Sequence, residues 1–434
     1  MKNRVTVVGA GLAGCEAAYQ LAKRGIEVDL VEMKPKRLQP AHKSDSFAEL
    51  VCSNSFRSDR LTNAVGLLKE ELRRLGSLVL KVADETRVPA GGALAVDREG
   101  FSRRITEIIS NNELIHVINR EATAIPNTPC IIATGPLTDG ALMSSIEDLL
   151  GDCLHFHDAS APIVTQESLD MDIVFEESRY DRGSDYLNCP MSRDEYFAFV
   201  EELCKAETVS LHDFETPKVF EGCMPVETMA KRGKMTLAFG PLKPVGLSDP
   251  RYDKKPFAVV QLRRDNAEGT LYNIVGFQTN LKFPEQKRVF GMIPGLKNAE
   301  FVRYGVMHRN SFISSPGILD STYQCIKHPG LFFAGQITGV EGYVESVSSG
   351  FVAGYTLANI LNQRSFERFH SSTAIGALAE YVSGYCGKDF QPMNINFGIM
   401  KSLDERIRNK QERYLAISIC SLAIIDEIVA NDLE

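Results

Sequence analysis

Val5-Thr6-Val7-Val8-Gly9-Ala10-Gly11-Leu12-Ala13-Gly14 decides the fold by the order of its residue types. Four β-branched residues predict a buried strand. The triad Gly9-x-Gly11-x-x-Gly14 follows, Cys15 to Arg24 is a run of helix formers closed by Gly25, and Glu27 to Glu32 reads as a second strand. In such a unit the first glycine permits the tight turn, the second lets the backbone approach a pyrophosphate, and the third lets helix and strand pack closely. The helix N-terminus offers N–H donors and partial positive charge to the phosphates. Glu32 closes the unit where a carboxylate accepts hydrogen bonds from ribose hydroxyls. Gly9, Ala10, Gly11, Leu12, Ala13, Gly14 and Glu32 are therefore the expected dinucleotide site.

Outward from this unit, Lys34 to Arg60 reads as a long polar loop, Ala64 to Leu75 and Arg98 to Ser110 as helices, Gly91-Gly92 as a turn, and Cys130 to Ala133 as a strand. Between about His155 and Gly305 the texture changes to strands broken by Pro and Gly. Ser192-x-x-Glu195 there reads as a capping box. Leu331 to Ala334 is again a buried-strand run, a helix follows from about Glu345, and the tail from Ala374 is mainly helical. The expected fold is α/β: a Rossmann-like dinucleotide-binding domain from residues 1–155 and 306–434, with an inserted α+β domain over 156–305.

A chain of 434 residues with 44% hydrophobic content can bury a sizeable core, which argues against disorder. Its ten cysteines form no CxxC pair and no His/Cys cluster at zinc spacing, so neither a disulfide framework nor a metal is expected. The N-terminus runs directly into a strand, leaving no room for a signal peptide. The C-terminal apolar run Tyr414 to Ile425 is shorter than the roughly 20 residues of a membrane span and reads as a packed helix. The expectation is a cytoplasmic protein without a membrane segment.

A formal net charge of −8 argues weakly against polyanion binding, but the charge is polarised. Gln166 to Glu215 holds fourteen acids against four basic residues, whereas Met229 to Arg264 holds nine basic residues against two acids. That basic stripe, with Lys231 and Arg232 at its head, is the candidate polyanion contact; a solvated face fits the same residues.

FAD, NAD and S-adenosylmethionine all occupy a strand–triad–helix–strand unit, so the choice rests on other segments. Ile131-Ile132-Ala133-Thr134-Gly135 resembles the ATG segment of FAD-dependent oxidoreductases. Phe333-Ala334-Gly335-Gln336-Ile337-Thr338-Gly339 resembles their late flavin-contacting loop, which implicates Gly335, Gln336 and Gly339. Gln336 stands where most such proteins carry Asp; an amide also bonds a ribityl hydroxyl. No second glycine triad follows a strand, so reducing equivalents are expected from a transiently bound NAD(P)H.

Four segments make the resemblance specific: Val7 to Ala18, Cys52-Ser53-Asn54-Ser55-Phe56-Arg57, Gly222-Cys223-Met224-Pro225-Val226-Glu227, and His308-Arg309-Asn310-Ser311-Phe312-Ile313. Together they resemble the methylenetetrahydrofolate- and FAD-dependent tRNA (uracil-5-)-methyltransferase family. The resemblance implies that methylenetetrahydrofolate donates a one-carbon unit to uracil C5 of a T-loop uridine, with reduced FAD supplying electrons. It also implies a thiolate that adds to uracil C6 and so activates C5. Cys223 is the implied nucleophile and Cys52 a supporting catalytic group. His308, Arg309 and Asn310 are candidates for the folate or base pocket, and no obligate protein partner is implied. Other readings stay open: ribosomal RNA as substrate, a wobble-uridine carboxymethylaminomethylation flavoprotein, a small-molecule FAD oxidoreductase, and a flavin-stabilised RNA-binding module.

Overall fold

The computed structural model describes the chain except residues 1–3, 40, 152, 181–182, 210–223, 250–254, 388–389, 404–406 and 433–434, and except the side chains of 156–158 and 308–309. The first elements are β1 (Arg4–Val8), α1 (Leu12–Lys23), β2 (Glu27–Glu32), β3 (Ser55–Ser58), α2 (Ala64–Leu75) and α3 (Leu78–Glu85). Then come β4 (Arg87–Val88), β5 (Ala93–Val96), α4 (Arg98–Ser110), β6 (Ile115–Asn119), β7 (Cys130–Ile132) and α5 (Gly140–Leu150). The middle holds β8 (Leu154–Ala159), β9 (Ile163–Thr165), β10 (Phe175–Glu176), β11 (Tyr186–Met191), α6 (Arg193–Lys205), α7 (Val226–Lys231) and α8 (Thr236–Phe239). It continues with β12 (Ala258–Arg264), β13 (Leu271–Ile274), α9 (Phe283–Phe290), β14 (Phe301–Arg303) and β15 (Met307–Phe312). The last elements are β16 (Leu331–Phe333), α10 (Tyr343–Leu361), α11 (Ala374–Gly384) and α12 (Lys410–Asp432).

Five parallel strands, in the order β16-β7-β1-β2-β6, form the first sheet. Strands β7 and β16 are wholly apolar and buried, as strands covered on both faces are, whereas β2 alternates polar and apolar residues and β6 is mostly part-exposed. Val5 and Val7 face a core shared with α1, α2, α10 and α11, while Val8, Ile132 and Phe333 face a second core under α5. The α10 helix presses closely on α1, and its glycines permit this: a Cβ on Gly350 would come within 2.3 Å of the Ala13 carbonyl oxygen.

A six-stranded antiparallel sheet, β10-β11-β12-β13-β9-β14, lies wholly within residues 163–303. It buries a separate core with α6 and α9, including Tyr196, Phe199, Phe277 and Phe290. The Ser192–Glu195 capping box is formed at the start of α6. β8 pairs with β15 as a two-stranded ribbon where the chain passes from one sheet to the other and back.

Two expectations need correction. The Lys34–Arg60 segment is not a plain polar loop: Phe47, Ala48 and Leu50 are buried, and Ser55–Ser58 forms β3 in a small sheet with β5 and β4. The C-terminal run belongs to a 23-residue helix that is long and apolar enough to cross a membrane. That helix packs by one face only. Ile417, Ser418, Ser421, Leu422 and Ile425 are buried, whereas Leu415 and Ile419 lie exposed.

Candidate active site

The glycine loop between β1 and α1 opens onto a cavity of about 450 Å³. Gly9 takes φ +99°, and a Cβ there would sit 2.6 Å from the Ala133 carbonyl oxygen. A Cβ on Gly14 would lie 1.8 Å from the Gly9 carbonyl oxygen, so helix and strand touch at that point. A Cβ on Gly11 would meet nothing within 4 Å and faces open space. No side chain caps the N-terminus of α1 and no acid lies in its first turn, so its N–H groups face the cavity without a competing anion. This arrangement fits a pyrophosphate.

Glu32, at the end of β2, lines the same cavity. Its carboxylate accepts from the Ala10 N–H at 2.7 Å and the Lys34 N–H at 3.0 Å, which fixes its position and leaves lone pairs for hydroxyls. Lys34 pairs with Glu49 at 3.2 Å, pinning the following loop to the cavity's edge.

The cavity is also walled by Gly335, Gln336, Glu341, Tyr343, Cys52 and Arg263. Gly335 is held by its N–H on Ser349 Oγ at 2.7 Å. The Gln336 amide nitrogen donates to both Glu341 carboxylate oxygens at 3.0 Å, so a neighbouring acid orients this side chain. Gly339 is not on the cavity wall. Its φ of +88° turns the chain beneath Phe390, whose ring a Cβ would meet at 2.5 Å, and this corrects its expected cofactor contact.

Cys52 lies half-buried on the wall. The hydroxyl of half-buried Tyr343 accepts from the N–H groups of Cys52 at 2.8 Å and Ser53 at 3.1 Å, which locks the cysteine's backbone to the start of α10. Burial pushes the Tyr343 phenol well above its ordinary value and keeps it protonated. Arg263 donates to Ser53 Oγ at 2.6 Å and Asn54 Oδ1 at 3.0 Å, and burial pulls its guanidinium below the usual range. Arg57, with φ +63°, pairs with Glu345 across the same wall.

The chain matches the family model described as Glucose inhibited division protein A over residues 4–365. It is 60% identical over 434 residues to the methylenetetrahydrofolate--tRNA-(uracil-5-)-methyltransferase TrmFO of Acetivibrio thermocellus, covering 99% of this chain and 100% of that protein. The enzyme of the same name from Listeria monocytogenes serotype 4b is 59% identical over 415 residues, covering 95% and 96%. This chain belongs to the methylenetetrahydrofolate–tRNA-(uracil-5-)-methyltransferase family. Its fold is similar to that of Aquifex aeolicus GidA, with a TM-score of 0.70 at 15% identity, covering 99% of this chain and 78% of that one.

Within this methyltransferase family member, the structure brings the glycine loop, Glu32, Cys52, Asn310, Gly335 and Gln336 to one cavity. His308 and Arg309 share β15 with Asn310, which is buried; their side chains fall outside the described residues. Cys223 falls outside them altogether. Val226, three residues on, donates its N–H at 2.7 Å to the carbonyl of Gln278, which lines the cavity. Lys231 and Arg232 are exposed at the end of α7, away from the cavity wall. The basic stripe is not one surface: Arg263, read as a polyanion contact, is buried at the cavity because strand alternation turns it inward. Sequence reading also missed Tyr343. Tyr343 stands four residues beyond the quoted Gly335–Gly339 loop, and that proximity was the available signal.

Proposed function

We propose that this chain methylates uracil C5 in tRNA, taking the one-carbon unit from methylenetetrahydrofolate, as its relatives' name describes. The observation that carries this is Cys52 on the wall of the cavity that the glycine loop and Glu32 open. The residues fit FAD: Gly11 and the uncapped α1 N-terminus take the pyrophosphate, Glu32 the ribose, and Gly335 and Gln336 the other half. Bound FAD, once reduced by NAD(P)H, supplies the electrons that finish the transferred carbon as a methyl group.

Uracil C5 is a poor nucleophile until a thiolate adds to C6; C5 then bonds to the methylene carbon as that carbon's bond to the folate nitrogen breaks, and loss of the C5 proton and, once the carbon is reduced, expulsion of the thiolate from C6 restore the ring. Cys223 takes this role in our reading, supported by the bond between Val226 and the cavity-wall residue Gln278. Cys52 assists, its backbone fixed by Tyr343. Asn310, together with His308 and Arg309 on β15, lines the folate or base side. The exposed Lys231 and Arg232 contact the RNA backbone. The residues around the six-stranded sheet, 156–305, serve as the RNA-facing domain inserted in the flavin domain of 1–155 and 306–434. We place the activity in the cytoplasm, with neither a membrane nor an obligate protein partner.

Purified protein incubated with methylenetetrahydrofolate, NADPH and an unmodified tRNA transcript is expected to yield 5-methyluridine in the T-loop. Cys223→Ala and Cys52→Ala are expected to abolish it while FAD stays bound. NADPH oxidation without base methylation, or full turnover in Cys223→Ala, would overturn the assignment.

A further inference from the structure

A second cavity, about 300 Å³, lies beside the first and plays no part in the scheme above. Ser58, Arg60, Gly91, Arg179, Tyr186 and Gln261 are on its wall. The two cavities share their partition. On β3, Arg57 lines the first while the next residue, Ser58, lines the second. On β12, Arg263 lines the first and Gln261 the second; residues two apart on a strand share a face at a spacing of roughly 7 Å. Tyr186, paired in register with Arg263, stands at this boundary and donates its hydroxyl to the Ala90 carbonyl at 3.2 Å.

The wall carries two arginines that form no ion pair among the described residues. Arg179 is half-buried and donates Nε to Gln261 Oε1 at 2.8 Å and Nη1 to the Val245 carbonyl at 2.7 Å, both neutral acceptors. Burial pulls its guanidinium below the ordinary range, and no carboxylate among the described residues forms an ion pair with it. The Arg60 guanidinium lies over the Gly91-Gly92 turn, where a Cβ on Gly92 would come within 3.0 Å of its Nε; it too forms no ion pair among the described residues. Asp185 accepts from the Gly91 N–H at 2.6 Å.

Two guanidiniums beside an open recess favour oxyanions, and their forked donors suit carboxylates. Because the recess shares β3 and β12 with the reaction cavity, it stands beside a ligand held there and is placed to take that ligand's anionic side arm. Resting on the folate reading above, we propose that this second cavity receives the glutamate-tail carboxylates of the folate donor, with Arg60 and Arg179 as their counter-charges. Specificity for the chain length of the folate is then built into the seam between the two sheets.

The test is equilibrium dialysis of the FAD-loaded protein against tetrahydrofolate bearing one glutamate or five. The wild type is expected to favour the longer tail by about tenfold, the equivalent of one charge-assisted contact. Arg60→Ala, a change at an exposed residue, should cut that ratio about fivefold, and Arg60→Lys should restore part of it. Equal affinities in the wild type, or an unchanged ratio in Arg60→Ala, would overturn the proposal. So would an unchanged ratio accompanied by a higher RNA KM and a flatter salt dependence, which would assign the cavity to a phosphate. Failure of the wild type to bind either folate would instead remove the folate reading itself.

Discussion

Gly11 and Gly14 stand three residues apart and do opposite physical work. Gly14 is filled against the Gly9 carbonyl, whereas Gly11 faces empty space with an ordinary φ of −75°. Gly11→Ala therefore meets no steric obstacle in the apoprotein, and its gain of about 0.5 kcal/mol through the unfolded chain is offset by alanine being a poorer N-cap for α1 than glycine, so apoprotein stability is expected to change by less than about 1 kcal/mol. Its methyl group projects where the pyrophosphate must come close, so FAD content on purification is expected to fall sharply. Gly14→Ala drives a methyl into backbone and should unfold the first sheet or prevent its assembly. Thermal melting of the apoproteins, with flavin absorbance of the purified forms, separates the two. These roles were legible in sequence because each is a steric requirement of one residue. Gln336 was legible only as a departure: that Glu341 orients it depends on how the chain turns after Gly339.

At the scale of elements, α2 is the hub that seats the C-terminal helices. Glu71 on α2 is fully buried; it accepts the N–H groups of Ala374 at 2.7 Å and Ile375 at 2.8 Å at the start of α11, and the Ser421 hydroxyl of α12. Burial pushes its carboxyl up to about 7, more than the hydrogen bonds pull it down. The folded chain thus holds this proton more tightly than the unfolded chain. Its stabilising effect is complete below about pH 4.5 and declines as pH rises to about 7, by up to about 3 kcal/mol. Glu71→Gln keeps the shape and removes the titration, so its urea midpoint should lack that decline. Parallel midpoint curves for the two proteins between pH 4.5 and 8 would show that this carboxyl does not titrate there. The helices themselves were readable, with α2 and α4 at the boundaries expected, because amphipathic period and caps are local signals. The Lys34–Arg60 segment was not, since Phe47, Ala48 and Leu50 follow no period and are buried by distant elements.

The whole molecule depends on a seam where the two sheets meet at the reaction cavity, and sequence could not show that seam. It read Arg263 and Arg264 as the end of a basic surface, because only the register of β12 on β11 turns Arg263 inward. The seam's strongest contact is Arg98, at the head of α4, with Asp265, just beyond β12, joined by two hydrogen bonds of 2.9 Å. Burial opposes the Arg98 charge, but the Asp265 carboxylate more than offsets this and holds the guanidinium above its ordinary range. Arg98 also donates to the Leu50 carbonyl, tying in the loop that carries Cys52. Asp265→Asn leaves that cation buried without a counter-charge and is expected to cost about 3–5 kcal/mol in chemical denaturation. Arg98→Met combined with Asp265→Leu removes both members of the pair and should recover part of that loss, less the favourable field that Asp265 exerts on the buried Arg263. It cannot restore the bond to Leu50. Flavin release from the double variant, followed by fluorescence, should therefore remain faster than from the wild type. Wild-type release from a restabilised protein would mean that the Arg98 clamp holds the sheets together without shaping the cavity between them.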